Sequence, residues 1–383
     1  MIVAVTHPTC WPAVRRGSER LLNDLSVYLA KSGHAVTIIS SGEAFECTEP
    51  DLVNLVLLPS RLRRLRRLRQ LNGFHAFSFD LCNHLRNRSY DAVHCLNYHD
   101  AFAAVLARRA GYGPKRVVYQ MTGIPLGRYF RSIPLDRYMF SKVVAECDEI
   151  VCLSRFAAES LRRDFGREAV LLPSPTDQAP FAAAAEVTPR VRGRIVFAGD
   201  LDEPRKGALL LARSFPEIAA RRGEATLHFS GRCAPATREA IRAAIPAGLH
   251  PRVVFHGVGA LGDLPGLLAS AAVVVNPAIW EALGNVLIEA LAAGTPVVGC
   301  DHAGIPDIVN DERIGRLFAP GSERGAAVNA ASLVEAVLAA FELAERDGTA
   351  ALCQARAQAF GWAALGPRYE ALLAGDGGSR RAA

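Results

Sequence analysis

Two glutamates are the side chains whose type and spacing suggest chemistry most directly. Glu281 and Glu289 lie in the stretch NPAIWEALGNVLIEALAAGTPVVGC, in which a short loop leads into an apolar run of helix length. Glu281 falls in the predicted loop, and Glu289 lies within the predicted helix. That helix would begin with free backbone N–H groups at Gly284, Asn285 and Val286, which favour an anionic or oxygen-rich ligand. The pattern predicts a site for phosphate and sugar hydroxyls.

Two apolar strands must position this pair of glutamates. Residues 271–275 (AAVVV) predict a strand before the loop, and residues 297–300 (VVGC) predict a second strand after a turn at Gly294. A glutamate pair on an isolated helix is usually a solvated face. Because strands come before and after this helix, the pattern favours a ligand site over a solvated face.

A second candidate anion site follows the predicted strand IVFAG. Arg205 and Lys206 stand just before a predicted helix that starts near Gly207. Two cations beside a helix N-terminus suit a phosphate group.

These stretches resemble the retaining glycosyltransferases of the GT-B fold, and most closely glycosyltransferase family four. The family's E-x7-E signature is matched by Glu281, Gly284, Glu289, Ala290, Ala292, Gly294, Pro296, Val297 and Val298, and its K-G pair by Lys206 and Gly207. The resemblance covers nearly the whole chain and is weakest between residues 42 and 88. It implies an α/β fold with two doubly wound, Rossmann-like domains that face each other across a cleft.

The resemblance also implies roles for the donor-side residues. The second domain would bind a nucleoside-diphosphate sugar, with a UDP-sugar favoured. Glu289 would bind the ribose, and Glu281 with the Gly284 and Asn285 amides would bind the hexose. Gly257, in the loop GVGALG, would bring backbone close to the nucleobase.

Arg205 and Lys206 would clamp the diphosphate, so that they and Glu281 form the predicted catalytic set. Because cations and helix N-termini can neutralise the departing diphosphate, we expect transfer to need no metal and no cofactor beyond the sugar nucleotide. The pair Asp200 and Asp202 spells D-x-D, a metal-binding motif of a different glycosyltransferase architecture, and here it follows the wrong strand for that use.

Acceptor-side contacts are predicted in the first domain at Gly17, His99, Asp100 and Thr122. Gly17 precedes a predicted helix and resembles part of the family's G-G-x-E loop, with Arg16 in place of the first glycine. The alternatives are a structural helix cap for Gly17 and a packed, hydrogen-bonded histidine at residue 99.

Two positions depart from the family pattern. Thr122 stands where many members carry a histidine, and Asp200 stands where an arginine is expected. If Arg205 and Lys206 carry the clamp, a neighbouring base must neutralise Asp200, or its side chain must turn aside. Two alternatives stay open. One is a sugar-nucleotide epimerase on the same fold, and the other, suggested by the two departures, is a non-catalytic sugar-nucleotide-binding protein.

The alternation of strands and helices along 383 residues predicts two domains. We place the first at residues 1–185, the second at 190–360, and a returning helix of the first at about 361–376. The run from Pro180 to Pro189 is the predicted linker.

Composition predicts a cytoplasmic protein. Residues 1–6 (MIVAVT) indicate a first strand and are too short for a signal peptide, and no apolar run reaches the length of a membrane span. Nine cysteines without a C-x-x-C pair predict neither a disulfide framework nor a zinc site.

One basic segment stands out in a chain of formal net charge +6. Arg61 to Arg69 reads RLRRLRRLR, with leucines every third residue. Such a face would suit anionic lipid or a phosphorylated acceptor, and would place the protein at the inner face of a membrane. The alternative is a helix that docks its leucines on the first domain. Nucleic acid is not expected, because no aromatic residues are interleaved.

Overall fold

The computed structural model describes residues 1–10, 17–41, 49, 51–58, 72–260, 262–321 and 330–375. Contacts divide the chain into two compact units. The first comprises Met1–Pro175 and the segment from Leu365 onwards, and the second is Thr176–Ala364. The stretch predicted as a linker is largely a helix of the second unit, Ala179–Val187, which packs its one buried side chain, Phe181.

The first unit is a parallel sheet with helices. Its strands and helices are β1 (Ile2–Thr6), α1 (Gly17–Lys31), β2 (Ala35–Ser41), β3 (Asn54–Leu58), α2 (Gly73–Arg86), β4 (Ala92–Cys95), α3 (Tyr98–Arg109), β5 (Arg116–Met121), α4 (Pro134–Glu146), β6 (Glu149–Cys152), α5 (Arg155–Phe165) and β7 (Val170–Leu171). The strand order is β3-β2-β1-β4-β5-β6-β7. The order reverses between β1 and β4, and ligands of such sheets bind at the carboxyl ends of the strands at that point.

The central strands of this sheet are apolar on both faces. Val3, Val5 and Val93 have no exposed surface, as expected for parallel strands that are covered by helices on both sides.

The second unit repeats the same design. Its elements are α6 (Ala179–Val187), β8 (Arg194–Ala198), α7 (Ala208–Arg221), β9 (Thr226–Ser230), α8 (Pro235–Ala243), β10 (Val253–Gly257), α9 (Asp263–Ala269), β11 (Val273–Asn276), α10 (Asn285–Ala292), β12 (Val297–Cys300), β13 (Gly315–Phe318), α11 (Ala330–Ala344) and α12 (Thr349–Gln358). The parallel strand order is β10-β9-β8-β11-β12-β13, and it reverses between β8 and β11. The predicted fold class, α/β with two doubly wound sheets, is confirmed.

The last helix, α13 (Trp362–Ala374), carries the chain back into the first unit. Tyr369 is fully buried there. Its hydroxyl donates to the carbonyl of Pro173 (3.2 Å) and accepts from Gln120 Nε2 (2.8 Å). Arg116 adds a 2.9 Å hydrogen bond from Nε to the carbonyl of Leu372. These contacts fix the helix against β5.

Candidate functional site

The loops that follow β8 and β11 come together at the point where the strand order of the second unit reverses. The β8 loop ends in a short 3-10 turn, Pro204–Lys206, and Gly207 then starts α7 with φ at +78°. A side chain on Gly207 would place its Cβ 2.9 Å from the carbonyl oxygen of Pro277, just after β11. The glycine therefore allows the two loops to touch and sets Lys206 beside the β11 loop.

Lys206 and Glu281 form an ion pair across these loops. Lys206 Nζ lies 2.5 Å from Glu281 Oε2, and the two side chains are 23% and 13% exposed. They are 75 positions apart in the sequence. The structure thus brings together two of the predicted catalytic residues.

The loop between Glu281 and α10 is shaped by two glycines. Gly284 takes a left-handed φ of +104° as the N-cap of α10, and it offers no side chain to cap the helix. Gly304 donates from its backbone N to the carbonyl of Glu281 (2.9 Å), and a Cβ there would lie 2.2 Å from the Ala282 carbonyl oxygen. Asn285 and Val286 are the first two helical residues. A ligand can therefore approach the backbone at this helix N-terminus closely.

Glu289 lies in the second turn of α10 and is 5% exposed. It shares this helix with the amide groups of Asn285 and Val286, as predicted from the sequence. Because Glu289 is buried, only a ligand that lies at the N-terminus of α10 can contact its carboxylate.

Three glycines line the carboxyl ends of neighbouring strands β8, β9 and β10. Gly199 donates to the carbonyl of Ser230 (2.9 Å), and Gly231 donates to the carbonyl of Gly257 (2.8 Å). A Cβ on Gly231 would lie 1.8 Å from the Gly199 carbonyl oxygen, and Gly257 has φ at +70°. The missing side chain of Gly231 thus lets the chain after β8 and the chain after β9 lie close together.

Arg205 is already engaged within the site. It pairs with Glu203, and its Nη1 donates to the carbonyl of Trp280 at 3.1 Å. Its guanidinium therefore braces the β11 loop next to Glu281.

Asp200 is neutralised by a base, as predicted, and that base is Arg232. Arg232 Nη2 lies 2.6 Å from Asp200 Oδ2. The guanidinium of Arg232, 65% exposed, stands in the loop after β9. The same guanidinium lies 3.6 Å from Asp202 Oδ2, so one cation faces two carboxylates. Arg232 was not predicted from the sequence, because its pairing depends on β8 and β9 being neighbours in the sheet.

In the first unit, Asp100 has no exposed surface. Its Oδ2 accepts a 3.3 Å hydrogen bond from the Thr6 hydroxyl, and its Oδ1 has no hydrogen-bond partner. Burial raises the pKa of this carboxyl well above its ordinary value. Asp100 is therefore enclosed beside Thr6 of β1, and its side chain does not reach the surface where an acceptor-side contact was predicted.

His99 is also largely enclosed. Its side chain is 5% exposed, its Nδ1 lies 2.8 Å from Asn97 Oδ1, and its Nε2 lies 3.0 Å from Asp136 Oδ1. Burial, with His75 nearby, lowers the pKa of His99 to about 4. This arrangement corresponds to the packed, hydrogen-bonded histidine that the sequence left open as the alternative.

Two further predicted residues lie at the carboxyl edge of the first sheet. Thr122 directly follows β5 and is half-buried, and Gly17 is the exposed first residue of α1. The structure leaves both positions accessible.

A polar group at the end of β1 was not predicted. Thr9 Oγ1 donates to Glu19 Oε1 (2.7 Å) and lies 3.1 Å from His7 Nδ1. Glu19 and His7 are 2% and 5% exposed. The sequence carries a signal for this group in the order G-x-E of residues 17–19, of which the prediction named only Gly17.

The basic segment Arg61 to Arg69 lies outside the described residues. Within the described part of the chain, no helix has both the length and the apolar character needed to cross a membrane.

Solved structures show which fold this is. Sucrose-phosphate synthase from Thermosynechococcus elongatus superposes with a TM-score of 0.77 at 20% identity, over 97% of this chain and 99% of that chain. The HepE protein of Anabaena in complex with UDP gives a TM-score of 0.73 at 17% identity, over 98% and 100%. The fold is that of the GT-B glycosyltransferases.

Two family models match successive parts of the chain. Residues 15–179 match the model described as Glycosyltransferase Family 4, and residues 192–340 match Glycosyl transferases group 1. The chain belongs to this glycosyltransferase family.

Curated relatives are similar over a part of their length. The GDP-mannose-dependent alpha-(1-6)-phosphatidylinositol monomannoside mannosyltransferase of Mycolicibacterium smegmatis is 31% identical over 56% of this chain and 59% of that protein. The phosphatidyl-myo-inositol mannosyltransferase of Mycobacterium leprae is 29% identical over 49% of each. The chain thus spans about half to three fifths of the length of these relatives.

Proposed function

We propose that this protein is a retaining hexosyltransferase that moves a sugar from a nucleoside-diphosphate sugar to an acceptor hydroxyl. The ion pair of Lys206 and Glu281 is the observation that carries the proposal. It places a cation and a carboxylate together beside the open N-terminus of α10, at the position where such sheets bind ligands. The cation and the helix N-terminus suit a diphosphate, and the carboxylate suits sugar hydroxyls.

In the proposed transfer, the nucleoside diphosphate is the leaving group. The bond between the anomeric carbon and the phosphate oxygen breaks, and the acceptor oxygen forms its new bond on the same face of the sugar. The acceptor proton passes to the departing phosphate oxygen. Lys206 and the amides of Asn285 and Val286 stabilise the charge that develops on the diphosphate, which is a large catalytic term.

The other residues position the donor. Glu281 accepts hydrogen bonds from the hexose, Glu289 accepts them from the ribose, and the backbone at Gly257 lies against the base. Arg205 holds the Trp280 carbonyl and so fixes the loop that carries Glu281. Arg232 pairs with Asp200 and so offsets the negative charge that this aspartate brings near the diphosphate.

Two classes of donor should be tested first. The sequence favours a UDP-sugar, and a GT-B neighbour from Anabaena was solved with UDP-glucose. One relative is named for its use of GDP-mannose and a phosphatidylinositol mannoside. A lipid-borne hydroxyl is consistent with that name and with the basic segment Arg61 to Arg69, so we place the reaction at the inner face of a membrane.

A donor screen followed by a product assay tests the proposal. Thermal unfolding is measured with UDP-, GDP-, ADP- and TDP-sugars, since a ligand of the native state raises the melting temperature by mass action. The stabilising donor is then incubated with and without an acceptor panel. We expect a glycosylated product and free nucleoside diphosphate only with acceptor.

Two results would replace this proposal. A changed sugar nucleotide formed from donor alone would make the protein an epimerase. Firm donor binding without turnover on any acceptor would make it a non-catalytic sugar-nucleotide-binding protein.

A further inference from the structure

Two histidines and a carboxylate meet at the start of three helices in the first unit. His75, His99 and Asp136 lie in the first turns of α2, α3 and α4. The Nε2 atoms of His99 and His75 lie 3.0 and 3.1 Å from Asp136 Oδ1. One possible ligand atom from each residue falls within 4.8 Å of the others. The side chains of His75, His99 and Asp136 are 8%, 5% and 14% exposed.

The hydrogen bonds of His99 determine where its lone pair points. Its Nδ1 lies 2.8 Å from Asn97 Oδ1, and that oxygen also accepts the backbone N–H of His99 (3.0 Å). The oxygen is therefore an acceptor, and Nδ1 must carry the ring proton. A neutral imidazole has one N–H, so Nε2 presents a lone pair to the Asp136 carboxylate. Such a contact is repulsive unless a proton or a cation lies between the two groups.

His75 has similar neighbours. Its Nδ1 lies 2.9 Å from Asn72 Oδ1, which caps α2 by accepting the Phe74 backbone N–H at 3.0 Å. The Asn72 backbone N–H donates to the same Nδ1 at 3.3 Å, so this nitrogen faces both a donor and an acceptor. His75 Nε2 is a buried atom that has no hydrogen-bond partner, although Asp136 Oδ1 is near. A second buried nitrogen beside the carboxylate is thus left without a hydrogen bond.

We propose that His75, His99 and Asp136 form a zinc-binding site. Two imidazole nitrogens and one carboxylate, with a fourth position left for water, are a ligand set that Zn²⁺ takes. Ligand atoms in a tetrahedral zinc site are about 3.4 Å apart, close to the two distances measured to Asp136 Oδ1. The cysteine pattern predicts no zinc site, and this one contains no cysteine.

Oxygen atoms lie beside the other ring nitrogen of both histidines. Histidines that bind a metal usually donate their other N–H to an oxygen. Asn72 and Asn97 supply these oxygens, and the Tyr98 ring stacks on His99 with a centroid distance of 4.1 Å. The ion ties the starts of α2, α3 and α4 together. It takes no part in the sugar transfer, whose proposed residues belong to the second unit.

Metal binding is measured on the full chain, expressed without a histidine tag and stripped with a chelator. Calorimetry with Zn²⁺ alone should show one equivalent. The melting temperature should rise by about 5 °C or more when free zinc exceeds its Kd a hundredfold. Co²⁺ should give the visible absorption of a low-symmetry nitrogen and oxygen site.

Substitutions of the proposed ligands test which residues bind the zinc. His75→Gln and Asp136→Asn should each weaken zinc binding by about a hundredfold or more, because each removes a ligand. His84→Gln, on the same helix and hydrogen-bonded to Tyr90, is the matched control and should bind as the unaltered protein does.

Two outcomes would overturn the proposal. One is stripped, unaltered protein that gains neither melting temperature with zinc nor an absorption spectrum with cobalt. The cluster is then a hydrogen-bonded network in which the helix N-termini hold the Asp136 anion. The other is undiminished zinc binding in both ligand variants. Should the variants fail to fold, the unaltered protein alone decides between these accounts.

Discussion

Glu289 tests the donor site at the scale of a single residue. Its carboxylate is 5% exposed in α10. Glu289→Gln keeps the shape and removes the charge, so the hydrogen bonds to a ribose lose their charge assistance. We expect donor affinity to fall by about 1.5 to 3 kcal/mol, or roughly 10- to 150-fold in Kd.

Calorimetry with the donor found by screening measures this change. Glu217→Gln is the control, since Glu217 is an exposed helical glutamate of the same unit that pairs with Arg221 at 4.0 Å. Equal donor affinity for Glu289→Gln and the unaltered protein would remove Glu289 from the site.

Asp100 predicts how stability depends on pH. Because burial raises its folded-state pKa, the folded protein holds a proton that the unfolded chain releases above its ordinary pKa near 4. Stability is therefore lost as pH rises from about 4 through the folded pKa, by about 1.4 kcal/mol for each unit of elevation. Asp100→Asn cannot ionise, and it should be more stable than the unaltered protein at pH 7.

Thermal unfolding from pH 4 to pH 8 tests this expectation. The advantage of Asp100→Asn should shrink as the pH approaches 4. A stability difference that does not vary with pH would show that Asp100 is not held neutral.

Some contacts of single residues could be predicted from the sequence, and others could not. Lys206 and Glu281 were predicted to share a site because each belongs to a motif with a known position relative to its strand. Arg232 and the cluster of His75, His99 and Asp136 belong to no such motif. Their contacts arise from helices and strands that are neighbours only in the folded chain, so sequence spacing carries no sign of them.

At the scale of the elements, Gly207 holds the start of α7 against the β11 loop. Gly207→Ala would require a left-handed φ and would press Cβ onto Pro277. We expect a loss of about 1 to 2 kcal/mol of stability from the backbone alone, and weaker donor binding because Lys206 moves.

The matched control is Gly223→Ala, where a Cβ meets nothing within 4 Å. Melting temperature and donor affinity are measured for both variants. If Gly207→Ala behaves as Gly223→Ala does, the close approach of the two loops is not needed for the site.

The basic segment Arg61 to Arg69 makes a separate prediction from sequence. If it contacts a membrane, the protein should sediment with anionic vesicles at low salt and be released by added salt, because exposed charges are screened within about 8 Å at physiological ionic strength. Replacing its arginines with glutamine should abolish binding, whereas vesicles of neutral lipid should bind neither protein. Absence of sedimentation at low salt would favour the docked helix.

The elements themselves were largely predictable. Apolar runs such as IVAVT and VVGC become the buried strands β1 and β12, and Gly33 and Gly294 take positive φ where the helices α1 and α10 have ended. The prediction of a linker was wrong, because its alanines favour a helix and the buried Phe181 packs that helix in place. Alanine-rich composition alone does not distinguish a linker from a short packed helix.

At the scale of the whole molecule, the two sheets share the same topological feature. In each, the strand order reverses once, between β1 and β4 and between β8 and β11. The chain leaves the first unit at Pro175 and re-enters it at Leu365. Lys206 and Glu281, which match the family motifs, lie in the second unit, so we assign the donor to that unit.

Release of nucleoside diphosphate by Lys206→Ala, at saturating donor and acceptor, tests this assignment most directly. Lys142→Ala is the matched control, because Lys142 lies in α4 of the first unit and pairs with Glu146 at 3.8 Å. Removing one preorganised charge from a transition state commonly costs about a hundredfold or more in rate. We expect that loss for Lys206→Ala and an almost unchanged rate for Lys142→Ala. If Lys206→Ala releases the diphosphate as fast as the unaltered protein, the ion pair of Lys206 and Glu281 does not mark the catalytic centre.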